Sequence, residues 1–139
     1  MGDSHPVLAG ASAVERSEEE RLAASEVSVV GADRIGLEAL YALEAALDSL
    51  KSRVGRVYVH LDLDVLDPEK VGKANEFAPE SGLSAEDLKT ALGMVRERFA
   101  VAAAGIASYD PTFDPDGHIL AVALACVRML TFSQAANEP

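Results

Sequence analysis

Strands alternating with helices along a chain of 139 residues predict an α/β domain with a mostly parallel sheet and helices on both of its faces. Two further observations support that class. A strand-forming run, Arg56–Leu61, ends in Asp62, Asp64, Asp67 and Pro68, which is how a central strand of an open α/β sheet delivers polar groups to its carboxyl end. An apolar share of 49% is enough for a core and too high for disorder.

The elements follow in order. Pro6–Ala11 is a short apolar run stopped near Gly10 and suits a buried strand. Ser17 with Glu20 three residues on has the capping-box pattern, and Leu22 continues a short helix. Val27–Val30 is the next strand, halted by Gly31. From Asp33 the period becomes helical through Leu37, Leu40, Tyr41, Leu47, Leu50 and Val54, and Gly55 ends it. The aspartate-tipped strand comes next. Glu69–Gly82, with Gly72, Pro79 and Gly82, reads as a loop leaving that strand's carboxyl end, where α/β proteins usually keep function. Ser84 with Asp87 is a second capping pattern, and Leu88, Ala91, Leu92, Val95 and Phe99 mark one helix face. Val101–Ala107 is a fourth strand ending at Ser108. Asp110, Asp114 and Asp116 suit turns and caps, and His118–Phe132 is a helix apolar on nearly all sides. Four strands make a small sheet, so the count predicts that part of it is missing.

A formal charge of −11 without a basic cluster excludes nucleic acid and anionic membrane surfaces as partners. It suits a cationic substrate or a metal. The single cysteine, Cys126, lies among Ala, Leu and Val as a small buried hydrophobe, so a reducing compartment is expected. No signal-peptide pattern opens the chain, and Ile119–Leu130 is too short to span a bilayer. A soluble cytoplasmic protein is the expectation.

Asp62 and Asp64 are two residues apart, so strand alternation would point both carboxylates to one face. Like charges that close raise each other's proton affinity unless a cation lies between them, which makes a divalent metal the candidate ligand. Solvated residues opening a turn are the plainer reading of the same pair.

The segment Asp62-Leu63-Asp64-Val65-Leu66-Asp67-Pro68 resembles the Asp-x-Asp-x-x-Asp-Pro signature of the ureohydrolases: arginases, agmatinases and formimidoylglutamases. Glu76–Ser84, EFAPESGLS, is similar to that family's Pro-Gly-Gly-Leu-Ser/Thr segment, with Ser81 where a glycine is usual. Ser108–Pro111 is similar to its Glu-x-Asn-Pro turn, and VLAGAS followed by EEERL resembles the strand and helix ahead of the signature. The resemblance implies one partial domain over residues 1–139, a three-layer α/β/α fold without its amino-terminal half. It implies a manganese-dependent hydrolase of guanidinium, amidine or formimino C–N bonds, two Mn2+ ions, and Asp62 and Asp64 as metal ligands. Asp67 and Pro68 fall on the turn that ends the motif.

Two departures shape the functional expectation. The family's Gly-Gly-Asp-His and Asp-Ala-His-x-Asp segments are absent, and the histidines are His5, His60 and His118. His5 reads as an exposed terminus, His60 as a packed or hydrogen-bonded residue and His118 as the start of the last helix. Ser108 stands at the substrate-binding position of the family's glutamate, and a neutral hydroxyl cannot replace that charge-assisted bond. The isolated chain is therefore expected to bind manganese at most partly, to be crippled or inactive toward guanidino and amidino substrates, and to self-associate or form a homo-oligomer through its incomplete sheet. No catalytic base or nucleophile is singled out. A non-catalytic assembly unit is the alternative, and a haloacid-dehalogenase-type phosphatase, whose first strand also ends in Asp-x-Asp, is a weaker one.

Overall fold

The structure is a computed structural model, and it describes residues 6–11, 17, 20, 21, 24, 28–31 and 37–132. The elements are β1 (Val7–Ala11), β2 (Ser28–Gly31), α1 (Leu37–Lys51), β3 (Arg56–Asp62), α2 (Ala85–Arg98), β4 (Ala100–Ala107) and α3 (His118–Thr131), with 3-10 turns at Leu63–Val65 and Pro111–Phe113. His5, most of the short helix expected from Ser17 and the tail after Ser133 lie outside the described residues.

All strand pairing among the described residues is parallel, β1 with β2 and β3 with β4. Parallel neighbours need crossovers, and α2 supplies the one between β3 and β4. Its start is the expected cap: Ser84 Oγ accepts the backbone N–H of Asp87 at 3.1 Å. Its end is tied to α1, where Arg98 Nε donates to Asp48 at 2.6 Å and a second guanidinium nitrogen lies 3.1 Å from Glu44. Both contacts favour the charged form, the Asp48 hydrogen bond most, so the Arg98 pKa moves up.

Along β3, Val57, Val59 and Leu61 turn inward while Arg56, Tyr58, His60 and Asp62 stay exposed. The inward face meets two apolar clusters. One gathers Leu61, Leu63, Leu66, Leu88, Leu92, Ile119, Val122, Cys126 and Leu130, and the other gathers Val30, Leu43, Leu47 and Phe99 with Val57, Met94 and Val95 packed against it. The described helices lie side by side, α1 against α2 and α2 against α3, on that inward side. No described helix covers the opposite face of β3 and β4.

The strand expected to run through Asp64 stops at Asp62. Leu63, only 1% exposed, still falls on the inward side, but the chain tightens into a 3-10 turn over Leu63–Val65, after which Leu66, also 1% exposed, is buried where the alternation would have left it outward. Leu66 then forms an isolated parallel bridge with Leu83, which draws the two ends of the 67–83 loop together.

Candidate functional site at the carboxyl ends of β3 and β4

Parallel strands present their ligand-facing loops at the carboxyl end, and here β3 and β4 finish side by side, with Asp62 paired to Ala107. The residue after that pair, Ser108, has φ 65, a left-handed conformation that costs a non-glycine residue about 1–2 kcal/mol. The turn aims its hydroxyl back across the ladder. Ser108 Oγ donates to Asp62 Oδ1 at 2.7 Å, while His60 Nε2 lies 3.6 Å from Asp62 Oδ2. His60 and Asp62 are about half exposed, so this small cluster opens to solvent. The Tyr58 ring stands beside His60, with centroids 6.4 Å apart.

The loop after β3 is bound to the same place. Asn75 Nδ2 donates to the Ser108 carbonyl at 2.8 Å, its Oδ1 accepts the Phe77 N–H at 2.8 Å, and the Asp110 N–H donates to the Ala74 carbonyl. Asn75 thus fixes the peptide that carries Ser108. Sequence reasoning placed the loop correctly and missed this residue, because nothing in Lys73-Ala74-Asn75 distinguishes a bridging asparagine from a solvated one.

Asp67 belongs to the scaffold. Buried beneath the loop, it accepts the N–H groups of Glu69 (2.9 Å), Lys70 (3.2 Å) and Gly82 (3.4 Å), and Lys70 Nζ lies 3.5 Å away. Burial pushes its pKa up, but the three N–H donors and the Lys70 charge outweigh burial, so its carboxyl titrates below the ordinary range. Asp114 repeats the pattern at α3, accepting the N–H groups of Ile119 and Leu120 and the Tyr109 hydroxyl. Tyr109 is pushed up in turn, first by burial and then by its bond to Asp114. His118 is the first residue of α3, as expected.

The donors available to a manganese pair are therefore few. One Asp62 oxygen is taken by Ser108, Asp64 sits on the 3-10 turn beyond the strand, and no group of three or more His, Cys, Asp or Glu side chains forms a metal-sized cluster among the described residues. Two manganese ions need more carboxylate and imidazole oxygen and nitrogen than Asp62, Asp64 and His60 offer, so the described residues do not fit that pair by themselves. What the arrangement does offer is an oriented carboxylate at a strand end, with a hydroxyl on one oxygen and an imidazole near the other.

The comparisons with known proteins bear on that arrangement. The Arginase family model matches residues 1–132. Among solved structures, an arginase from Bacillus subtilis superposes with a TM-score of 0.80 at 24% identity, covering 93% of this chain and 46% of that one. The agmatine ureohydrolase of Thermoplasma volcanium gives 0.74 at 18%, covering 94% and 42%, and the formimidoylglutamase from Bacillus subtilis gives 0.69 at 20%, covering 91% and 42%. At these identities the likeness is one of fold, and the chain spans less than half the length of each. No curated protein matches.

Proposed function

Because the chain belongs to the arginase family, we propose that it supplies the carboxyl-terminal part of a hydrolase acting on linear amidine or guanidine C–N bonds. The observation that supports this reading most directly is the meeting of Asp62, Ser108 and His60 at the carboxyl ends of adjacent parallel strands. In such a reaction water adds to the central carbon, and the C–N bond breaks as the amine leaves with a proton. Manganese suits the carboxylate and imidazole chemistry of this site, with Asp62 and Asp64 as this chain's share of its ligands. The rest of the ligand set is not among the described residues. Asp62 is held in one orientation by Ser108, so the chain's own role is to present a fixed carboxylate. Ser108 has no charge with which to clamp a guanidinium, and its hydroxyl is already committed to Asp62.

A second reading, a non-catalytic assembly unit with the family's fold, is favoured by the same scarcity of donors and by the neutral Ser108. Activity and metal assays separate the two. The isolated chain with added manganese should release no urea from arginine or agmatine, and calorimetry should show only weak manganese binding that vanishes in Asp64→Ala. Tight binding of two ions, or manganese-dependent urea release abolished by Asp62→Ala, would show that the chain needs nothing further. Once an assembly holds the metal, Ser108→Glu should raise kcat/KM for guanidino substrates at least tenfold. No activity in that assembly, with or without the substitution, selects the non-catalytic reading.

A further inference from the structure

We propose that His60 and Asp62 form a binding site for one divalent ion of the zinc class, held between His60 Nε2 and Asp62 Oδ2, and that this pair, rather than Asp62 with Asp64, is the chain's strongest unaided metal site. The inference goes beyond the hydrolase reading and does not depend on it. Both residues lie on the outward face of β3, two apart, so alternation sends their side chains the same way. Their facing atoms are 3.6 Å apart, too far for a hydrogen bond. The gap has the width of a metal chelate. With zinc–nitrogen and zinc–oxygen bonds of about 2.1 Å, it corresponds to an angle of about 120° at the ion, close to the tetrahedral geometry zinc adopts. An octahedral ion holding both atoms at right angles through bonds of similar length would need them about 3.0 Å apart.

The surroundings hold both donors ready. Ser108 Oγ donates to Asp62 Oδ1 at 2.7 Å, which fixes the carboxylate and leaves Oδ2 as the oxygen on the His60 side. On the histidine, Nδ1 faces the paired residue of β4, Gly105, where a methyl would lie 3.6 Å from that nitrogen and would overlap the Tyr58 hydroxyl. The bare glycine thus gives the imidazole and the tyrosine room side by side. A ligating histidine commonly gives its second N–H to an oxygen, and the Tyr58 hydroxyl stands on that side of the ring. The two side chains are 53% and 51% exposed, so an ion reaches them from solvent and keeps water at its other positions. No third His, Cys, Asp or Glu completes a metal-sized cluster among the described residues, so the affinity is modest. His60 decides the choice of ion. Imidazole suits zinc, and at a given nitrogen and oxygen site affinity rises from manganese to zinc. Because Asp62 belongs to both ligand sets, zinc on His60 withdraws it from manganese.

The test titrates zinc chloride into the full 139-residue chain and reads calorimetry together with the ring proton resonances of the histidines. One ion should bind per chain, and the ring signals that move should be those missing from His60→Gln. His60→Gln and Asp62→Asn should each weaken binding by about tenfold or more, and Ser108→Ala, which frees the carboxylate, should weaken it less. Asp64→Ala and His5→Ala should leave it unchanged. Manganese should bind about tenfold more weakly than zinc and be displaced by it. Because His60 and Asp62 are half exposed, the variants should keep the wild-type melting temperature, which separates a lost ligand from a lost fold. Undetectable zinc binding, zinc binding that survives His60→Gln, or zinc binding that vanishes in Asp64→Ala or His5→Ala would each overturn the proposal. None of these readouts involves a substrate. Loss in Asp64→Ala would return the ion to the Asp62 and Asp64 pair of the hydrolase reading, whereas undetectable zinc binding leaves that reading to its own manganese and urea assays.

Discussion

Ser108 carries opposite contributions, a left-handed backbone that disfavours any side chain and a hydroxyl that needs that backbone to reach Asp62. Substitutions separate them. Ser108→Ala keeps the strain and loses the hydrogen bond, so it should destabilise the chain by about 1 kcal/mol, whereas Ser108→Gly loses the bond but relieves the strain and should be nearly neutral. Urea denaturation of the pair measures the difference, and equal losses would mean that the strain is not borne at this residue. Ser108 was legible in the sequence as a departure at a motif position. Its bond to Asp62 was not, because it depends on the parallel register that sets β4 beside β3. The strand expected to carry both Asp62 and Asp64 ends at Asp62, and Asp64 lies on the 3-10 turn that follows. Leu63, Val65 and Leu66 are as apolar as a strand requires, but a strand continued past Asp62 would turn Leu66 outward, and the 3-10 turn lets the core bury it together with Leu63. The phosphatase reading of the same aspartates falls with the family match.

At the scale of elements, the two buried aspartates organise the loops that shape the site. Strand and helix cores were legible to within a few residues, since period and caps are local properties: Ser84 was expected to cap α2 and does. The loop closure was not legible, because it turns on one close approach. A methyl on Gly82 would overlap the Val65 carbonyl oxygen and come within 2.8 Å of the Leu66 carbonyl carbon, both rigid backbone. Gly82→Ala should therefore cost about 1–3 kcal/mol and open the Leu66–Leu83 bridge, seen as faster amide exchange at Leu83 and Asp67. Asp114 gives the loop ahead of α3 a pH dependence. Burial raises its proton affinity, but the N–H groups of Leu120, Ile119 and His118 and the Tyr109 hydroxyl together lower it, leaving the pKa below the ordinary 3.8. A depressed folded value means that its contribution is present above pH 3.8 and is lost as pH falls through the folded pKa. Acid titration of the helical signal should accordingly show a shallower loss below pH 4 in Asp114→Asn, which starts less stable at neutral pH. An unchanged acid slope would remove Asp114 from this role.

For the whole molecule, the question is how two apolar clusters and an uncovered sheet face make one cooperative unit. The clusters share α2, which gives Leu88 and Leu92 to one and Ala91, Met94 and Val95 to the other, and they share β3, which gives Leu61 to the first and Val57 to the second. A loss in either therefore reaches both through a rigid helix and a paired strand. Leu92 is 5% exposed at that junction, and Leu92→Ala should cost about 2–5 kcal/mol by lost transfer energy and the cavity left behind. Domains of this size hold only about 5–15 kcal/mol in total, and here one sheet face contributes no burial, so the chain belongs at the low end. Leu92→Ala should then keep much of its far-ultraviolet helical signal, which is local, while losing dispersed methyl resonances and binding a hydrophobic dye, the marks of a collapsed state without fixed packing. A Leu92→Ala chain that unfolds in one sharp transition within about 1 kcal/mol of the wild type would show instead that the two clusters are independently stable and that α2 does not couple them.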